Sequence, residues 1–300
     1  MSFSWASRRA RLGLIFAAIL AVTSALAGLL TATSQAAPAR AAASAAFQWK
    51  GDTKPVIVLE HGAWADGSSW DQVIAILQDD GFTVYAPPNP LRSLPSDSVY
   101  LHDFLTENAA LQGKPIVLVG HSYGGAVITD AAVGDAAVGD AEVKALVYVD
   151  AFIPAQGESI GQLLAAQPGS CLAGNPADVF DPVPYPGGPV GDVDLYVLPG
   201  KFSGCFASGL AASEAAVLSA TQRPLAASVA SEPSGPAAWE TIPSWAVIGT
   251  ADQVIPPAEL LFMAERAGAH ITDVNAGHLS LISDPGVVAR VILQAARATS

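Results

Sequence analysis

The stretch Ile116-Val117-Leu118-Val119-Gly120-His121-Ser122-Tyr123-Gly124-Gly125 decides how this chain folds. Four consecutive apolar residues predict a strand buried on both faces. From Tyr123 to about Val133 the pattern turns helical. Between them lies G-x-S-x-G, a strand-to-helix turn too tight for side chains at its flanks. Glycines are therefore required there, and Ser122 is expected to stand above the sheet edge with its hydroxyl exposed. The five-residue pattern alone recurs by chance, so its weight comes from the strand before it and the helix after it.

Outward from this turn, short β-rich runs alternate with helical spacing. Val56–Leu59, Thr83–Ala86, Ile116–Val119, Ala145–Val149, Trp245–Ile248 and His270–Val274 predict six strands. Helices are expected over Trp70–Asp79, Asp97–Leu111, Tyr123 to about Val133, about Pro257–Ala267 and about Pro285–Ala296. This alternation means a mainly parallel sheet covered by helices on both faces, an α/β fold. Residues 154–240 break the rhythm. They are rich in Pro and Gly, carry some helical pattern near Gly209–Ala220, and read as an insertion of the kind that forms a cap over a site. Ala131-Ala132-Val133-Gly134-Asp135 recurs at once in 136–140, which reads as a tandem duplication in a surface connection.

Composition narrows the function classes. Of 300 residues, 51% are hydrophobic and 14% charged, enough for a large core and too apolar for a disordered chain. The net charge of −13 repels phosphate backbones and offers no basic patch to anionic lipid, so neither nucleic acid nor a membrane surface is an expected partner. The N-terminus is a different material. Arg8, Arg9 and Arg11 precede an apolar run from Leu12 to Leu30, then small residues with Ala37-Pro38-Ala39 as a cleavage site. Basic, apolar, small is the order of a secretory signal, so residues 1–39 are expected to be removed and 40–300 to form the mature, exported domain. An uncleaved anchor is the alternative, since the run is just long enough to span a bilayer. Outside the cytosol the two cysteines, Cys171 and Cys205, are expected to pair, and a loop of that length would contribute about 3–4 kcal/mol by chain entropy. Neither C-x-x-C nor H-E-x-x-H occurs, so no metal or other cofactor is expected.

A serine hydroxyl needs a base. In this architecture the chain order is Ser, acid, His. His270 opens a strand, at the wrong end of the sheet. His278 follows that strand's C-terminal end, where such sites gather, and is the expected base. Asp252 follows the preceding strand in Gly249-Thr250-Ala251-Asp252 and is the expected acid, holding the imidazole tautomer. Asp150, ending the fourth strand, is its rival. The oxyanion needs donors already in place, and the backbone N–H groups of Ala63 and Tyr123 are the candidates. His61 is expected to bond backbone near its turn. Trp64 is a candidate pocket wall, and Asp66, Ser68 and Ser69 should cap the next helix.

Taken in order, His61-Gly62-Ala63-Trp64, Gly120-His121-Ser122-Tyr123-Gly124-Gly125, Val149-Asp150-Ala151-Phe152-Ile153-Pro154, Gly249-Thr250-Ala251-Asp252 and Gly277-His278 resemble the α/β-hydrolase superfamily from Lys54 to the C-terminus. The six-stranded form is most similar to its compact esterase and hydroxynitrile-lyase group. That resemblance implies a serine hydrolase acting on a small-molecule ester through an acyl-enzyme. Other readings are lyase or C–C hydrolase chemistry on the same site, or a binding protein that keeps the triad. Lyases of the group carry a lysine where this chain has Leu279 and a threonine where it has Gly62, so both departures favour ester hydrolysis.

Overall fold

A computed structural model of the chain describes residues 54–133 and 142–299. The expected signal segment, and the repeat from Gly134 to Asp140, lie outside the described residues. Along the chain run β1 (Val56–Glu60), α1 (Asp71–Asp79), β2 (Val84–Tyr85), α2 (Leu94–Glu107), β3 (Pro115–His121), α3 (Tyr123–Ala131) and β4 (Glu142–Val149). A long segment follows with α4 (Ile160–Ala166), β5 (Phe180–Val183), β6 (Asp194–Val197), α5 (Pro199–Lys201), α6 (Ala212–Thr221) and β7 (Leu225–Ala226). The chain then returns through β8 (Ser244–Gly249), α7 (Pro257–Arg266), β9 (His270–Val274), α8 (Ser280–Ser283) and α9 (Pro285–Ala298).

Six strands form one sheet in the order β2-β1-β3-β4-β8-β9, and every neighbouring pair is parallel. This is the α/β-hydrolase fold. Its central strands are apolar on both faces because helices cover both, and each fully buried Val, Leu or Ile there is worth about 1.5–3 kcal/mol. Val56 to Leu59 and Ile116 to Val119 are all buried. Helix α3, which begins at the turn, is buried nearly all round. Helix α9 buries one stripe, including Val288, Val291, Ile292 and Ala295, against the sheet and α1.

The strand order explains where a site should form. From β1 the chain moves outward to β2, then crosses back to β3 on the other side of β1. The loops leaving β1 and β3 therefore diverge and open a crevice at the carboxyl ends of two adjacent strands. Glu60 pairs with Gly120 in register, so the residues after each, 61–64 and 121–123, face one another across it.

Three expectations change in detail. The second strand shortens from Thr83–Ala86 to two residues at the sheet edge, where only β1 pairs with it. Helix α2 begins three residues early, at Leu94, because Ser93 caps it by accepting from the Ser96 N–H and Pro95 fits the first turn. It ends at Glu107 rather than Leu111, with Asn108 already extended. Between β4 and β8 the Pro/Gly-rich segment is more ordered than its composition suggests. Besides α4 and α6 it holds a three-stranded antiparallel sheet, β5-β6-β7, that the sequence did not announce.

Candidate active site

Ser122 sits on the turn with φ 54° and ψ −122°, a conformation that a serine adopts only where its surroundings enforce it. The enforcement is steric and polar. A Cβ on Gly124 would stand 2.6 Å from the Glu60 carbonyl oxygen, so α3 packs directly on the end of β1. The Ser122 N–H donates to Val149 O (3.2 Å), and Ser122 O accepts from Gly125 N (3.0 Å) and Phe152 N (3.1 Å). The Tyr123 hydroxyl donates to Asp97 Oδ2 (2.9 Å), and Asp97 also accepts the Arg92 N–H, so the first residue of α3 is tied to α2.

The structure brings the three side chains together. His278 Nε2 lies 2.9 Å from Ser122 Oγ, and His278 Nδ1 lies 2.8 Å from Asp252 Oδ2. Asp252 Oδ1 accepts from the N–H groups of Val254 (2.7 Å) and Ile255 (3.1 Å), which fixes the carboxylate plane. Burial holds the His278 imidazole well below its ordinary value, down to about 3, so it is neutral at pH 7. His270 begins β9 and packs on Trp245 at the far ends of the strands, away from this cluster.

Asp150 plays another part. Its Oδ1 accepts from Gly249 N (2.6 Å), and its Oδ2 pairs with the Ser280 hydroxyl and the Ser280 N–H. It thus clamps the end of β8, three residues before Asp252, to the turn just after His278. Burial pushes both carboxyls up, and the Asp252 charge pushes Asp150 further. At Asp252 the N–H groups of Val254 and Ile255 oppose that rise and favour the charged form.

Ala63 and Tyr123 line one cavity with Ser122, of about 130 Å³. Among the described residues, neither backbone N–H donates to a protein acceptor. The loop carrying Ala63 is held by His61, whose Nε2 accepts the Asn89 N–H (2.9 Å) and whose Nδ1–H therefore donates to Gly62 O (2.9 Å). Burial lowers this imidazole to about 4, and the bond pattern fixes its neutral tautomer. Asp66 caps the turn Gly67–Trp70, accepting from Ser68 N (2.8 Å).

Trp64 lines the cavity, and its indole N–H donates to Leu195 O in β6 (2.8 Å). The ring stacks on Phe180 (5.6 Å) and meets Phe206 edge-on (5.7 Å). Its φ of 56° is one of four positive values among the described non-glycine residues, and for so bulky a side chain it costs of order 1–2 kcal/mol. Cys171 and Cys205 are bonded to each other. Cys171 N donates to Gln253 O (2.8 Å) and Ser170 Oγ to Val254 O (2.7 Å), so this stretch backs the loop that carries Asp252. Cys205 immediately precedes Phe206, whose ring touches His278 at 5.2 Å.

Sequence reasoning missed several supports. Asn89 orients His61 from a loop 28 residues on. His121, inside the motif, donates from Nε2 to the carbonyl of His278 (2.9 Å) and so ties the turn at Ser122 to the loop that carries His278. Phe206 carried no signal beyond being aromatic in a segment of unknown path. Among the described residues no group of three or more His, Cys, Asp or Glu stands where it could hold a metal ion. None of their helices is long and apolar enough to cross a membrane.

Several known proteins are similar to this chain. The chain is 36% identical over 115 residues to a carbendazim hydrolyzing esterase of Nocardioides sp. (strain SG-4G), covering 36% of this chain and 46% of that protein. It is 29% identical over 126 residues to a probable hydrolase of Phoma sp. (strain ATCC 20986 / MF5453), covering 39% and 50%. The chain thus matches about half the length of these curated relatives. A pyrethroid hydrolase from Sphingobium faniae JZ-2 superposes with a TM-score of 0.61 at 24% identity, covering 82% of this chain and 98% of that one. Polyneuridine aldehyde esterase superposes with a TM-score of 0.64 at 17% identity, covering 81% and 99%. The family model described as "Alpha/beta hydrolase family" matches residues 56–291, and with the sheet order and the turn at Ser122 it identifies this chain as a member of that family.

Proposed function

We propose that the chain is an exported carboxylic-ester hydrolase in which Ser122 is the nucleophile, His278 the base and Asp252 the orienting acid. The observation that carries this reading is the continuous hydrogen-bonded line from Ser122 Oγ through the neutral His278 to Asp252, beside a cavity with two free amides. Ser122 attacks the ester carbonyl as His278 Nε2 takes its proton. The Ala63 and Tyr123 amides receive the oxyanion of the tetrahedral intermediate. His278 then protonates the leaving alcohol, and a water activated by the same imidazole releases the acyl group. Asp252 stabilises the transient imidazolium, and Asp150 holds the ends that carry Asp252 and His278 together through Gly249 and Ser280.

The cavity wall is built from apolar groups such as Phe152, Leu164, Leu172 and Phe180, which favours a neutral small-molecule ester. The esterase and hydrolase names of the similar proteins point the same way. Lyase chemistry is disfavoured by two observations. Leu279 supplies a buried apolar group where a cation would be needed, and a Cβ at Gly62 would stand 2.7 Å from Ser122 Cβ. Export is supported by the basic, apolar, small order of residues 1–39 and by the paired cysteines.

The test is Ser122→Ala assayed on p-nitrophenyl esters, with circular dichroism to establish that the variant is folded. Turnover is expected to fall on the order of 10⁴–10⁶-fold. A folded variant with undiminished hydrolysis refutes the assignment.

A further inference from the structure

Two cavities meet at one side chain. The first, of about 130 Å³, contains Ser122 and is otherwise apolar. The second, of about 20 Å³, lies towards Phe202, Leu218 and Leu279. Among the described residues, Trp64 alone lines both. Its ring is pinned on three sides: by the Leu195 carbonyl at 2.8 Å, by the face of Phe180 and by the edge of Phe206. The backbone holds it in a left-handed conformation, and the side chain is only 8% exposed. A ring so fixed is a partition rather than a mobile gate.

We propose that Trp64 is the size-limiting wall of the substrate chamber, restricting this enzyme to neutral esters whose inserted group is compact and apolar, no larger than about a benzene ring. This inference rests on the ester-hydrolase reading of the same site. The size limit follows from volume, since a dry apolar cavity of roughly 150 Å³ holds a benzene molecule. The chemical limit follows from the lining, because burying a charged or unpaired polar group there has no compensating partner. Removing the indole joins the two cavities and frees its own volume, so a longer or bicyclic group then fits beside Ser122.

The experiment uses the mature protein and two ester series, one graded in acyl length and one in alcohol size. The protein carrying Trp64 should show a steep fall in kcat/KM beyond the four-to-six-carbon range in at least one series. In Trp64→Ala that fall should move to larger groups, raising the long-to-short ratio roughly 10–100-fold. Trp64→Gly, at a φ natural to glycine, supplies a second truncation if the alanine variant folds poorly, and Trp64→Phe should keep the original cutoff. An arm independent of turnover is run in the Ser122→Ala background. Benzene should raise the Tm with Trp64 present, whereas naphthalene should do so only once Trp64 is truncated. If esters are hydrolysed but neither the cutoff nor naphthalene binding moves, the wall is disproved while the hydrolase reading stands. If no ester is hydrolysed but naphthalene binding follows the truncation, the wall stands and the hydrolase reading fails. A protein with Trp64 intact that turns over octanoate and naphthyl esters as well as butyrate overturns the proposal without any variant.

Discussion

The sheet rim and the cap bound the same cavity by different physical means. On the rim, Ser122, His278 and Asp252 are held by backbone packed so closely that Gly124 has no room for a methyl group. On the cap, Phe180 and Phe206, together with the Trp64 ring that the β1 loop sends against them, are held by a few specific links. These are the Cys171–Cys205 bond, the Trp64–Leu195 hydrogen bond and the Arg92–Asp194 ion pair, in which Arg92 also lies over Tyr185 at 4.6 Å. The rim therefore tolerates almost no displacement, while the cap can vary in shape as long as its links persist. That division suits a hydrolase, since the chemistry is the same for every ester and only the fit around it needs to change.

The comparison can be broken most severely at Asp252, the proposed acid. Asp252→Asn keeps the shape but presents an amide to His278, and kcat should fall roughly 10²–10⁴-fold with Tm little changed. Steady-state kinetics with a melting curve decide it. Near-normal turnover would mean that Asp150 takes over as acid and that the rim is less specific than its packing indicates.

Next in size is the cap's covalent link. The protein recovered from the culture medium should begin near Arg40 and contain no alkylatable thiol by mass spectrometry without reductant. Cys171→Ser with Cys205→Ser should cost about 3–4 kcal/mol for a 34-residue separation, read by denaturant unfolding. Because Cys171 backs the Asp252 loop and Cys205 precedes Phe206, the double variant should also lose activity before it unfolds globally. Simultaneous loss of both would show that cap and rim unfold as one unit.

On the rim, Gly124→Ala should destabilise by about 1–3 kcal/mol, since its methyl group meets the carbonyls of Glu60 and His61. An unchanged Tm would show that the rim yields more readily than the sheet contacts imply. The gentlest probe is pH. Catalysis needs neutral His278, and burial lowers its pKa from 6.5 to about 3. Protonation in the free enzyme is thus postponed, and the acid limb of kcat/KM should lie well below pH 6.5. A limb near 6.5 would mean that water reaches the imidazole and that the cap does not seal the site. The sign for stability is opposite. Above pH 6.5 the lowered imidazole contributes nothing. As pH falls below 6.5 the unfolded chain takes up the proton first, so this group's contribution becomes progressively unfavourable down to about pH 3.

Most of the rim was legible in the sequence. The run Val56–Leu59 and the turn at Ser122 each combine local propensity with a tight steric demand, and both stand where expected. Asp252 and His278 were found because the order of elements constrains which strand ends they follow. The supports were not legible. Asn89, His121 and Phe206 act through contacts 28 to 157 residues apart, and nothing in their own neighbourhoods reveals the partner. The cap sheet was missed because Phe180–Val183 contains a proline and is partly exposed, giving no clean alternation.

By itself, the sequence determined the α/β alternation, the strand-turn-helix at Ser122, the strand ends that Asp252 and His278 follow, and the two cysteines available to pair. These depend on short-range rules: periodicity, glycine at crowded turns, and chain order imposed by a parallel sheet. Only the tertiary structure decided that Asp252 rather than Asp150 faces the imidazole, that the cysteines bridge the acid loop to the aromatic wall, and that Trp64 divides two cavities. Those outcomes depend on distances between segments far apart in the chain, and such distances are set by packing rather than by any local preference.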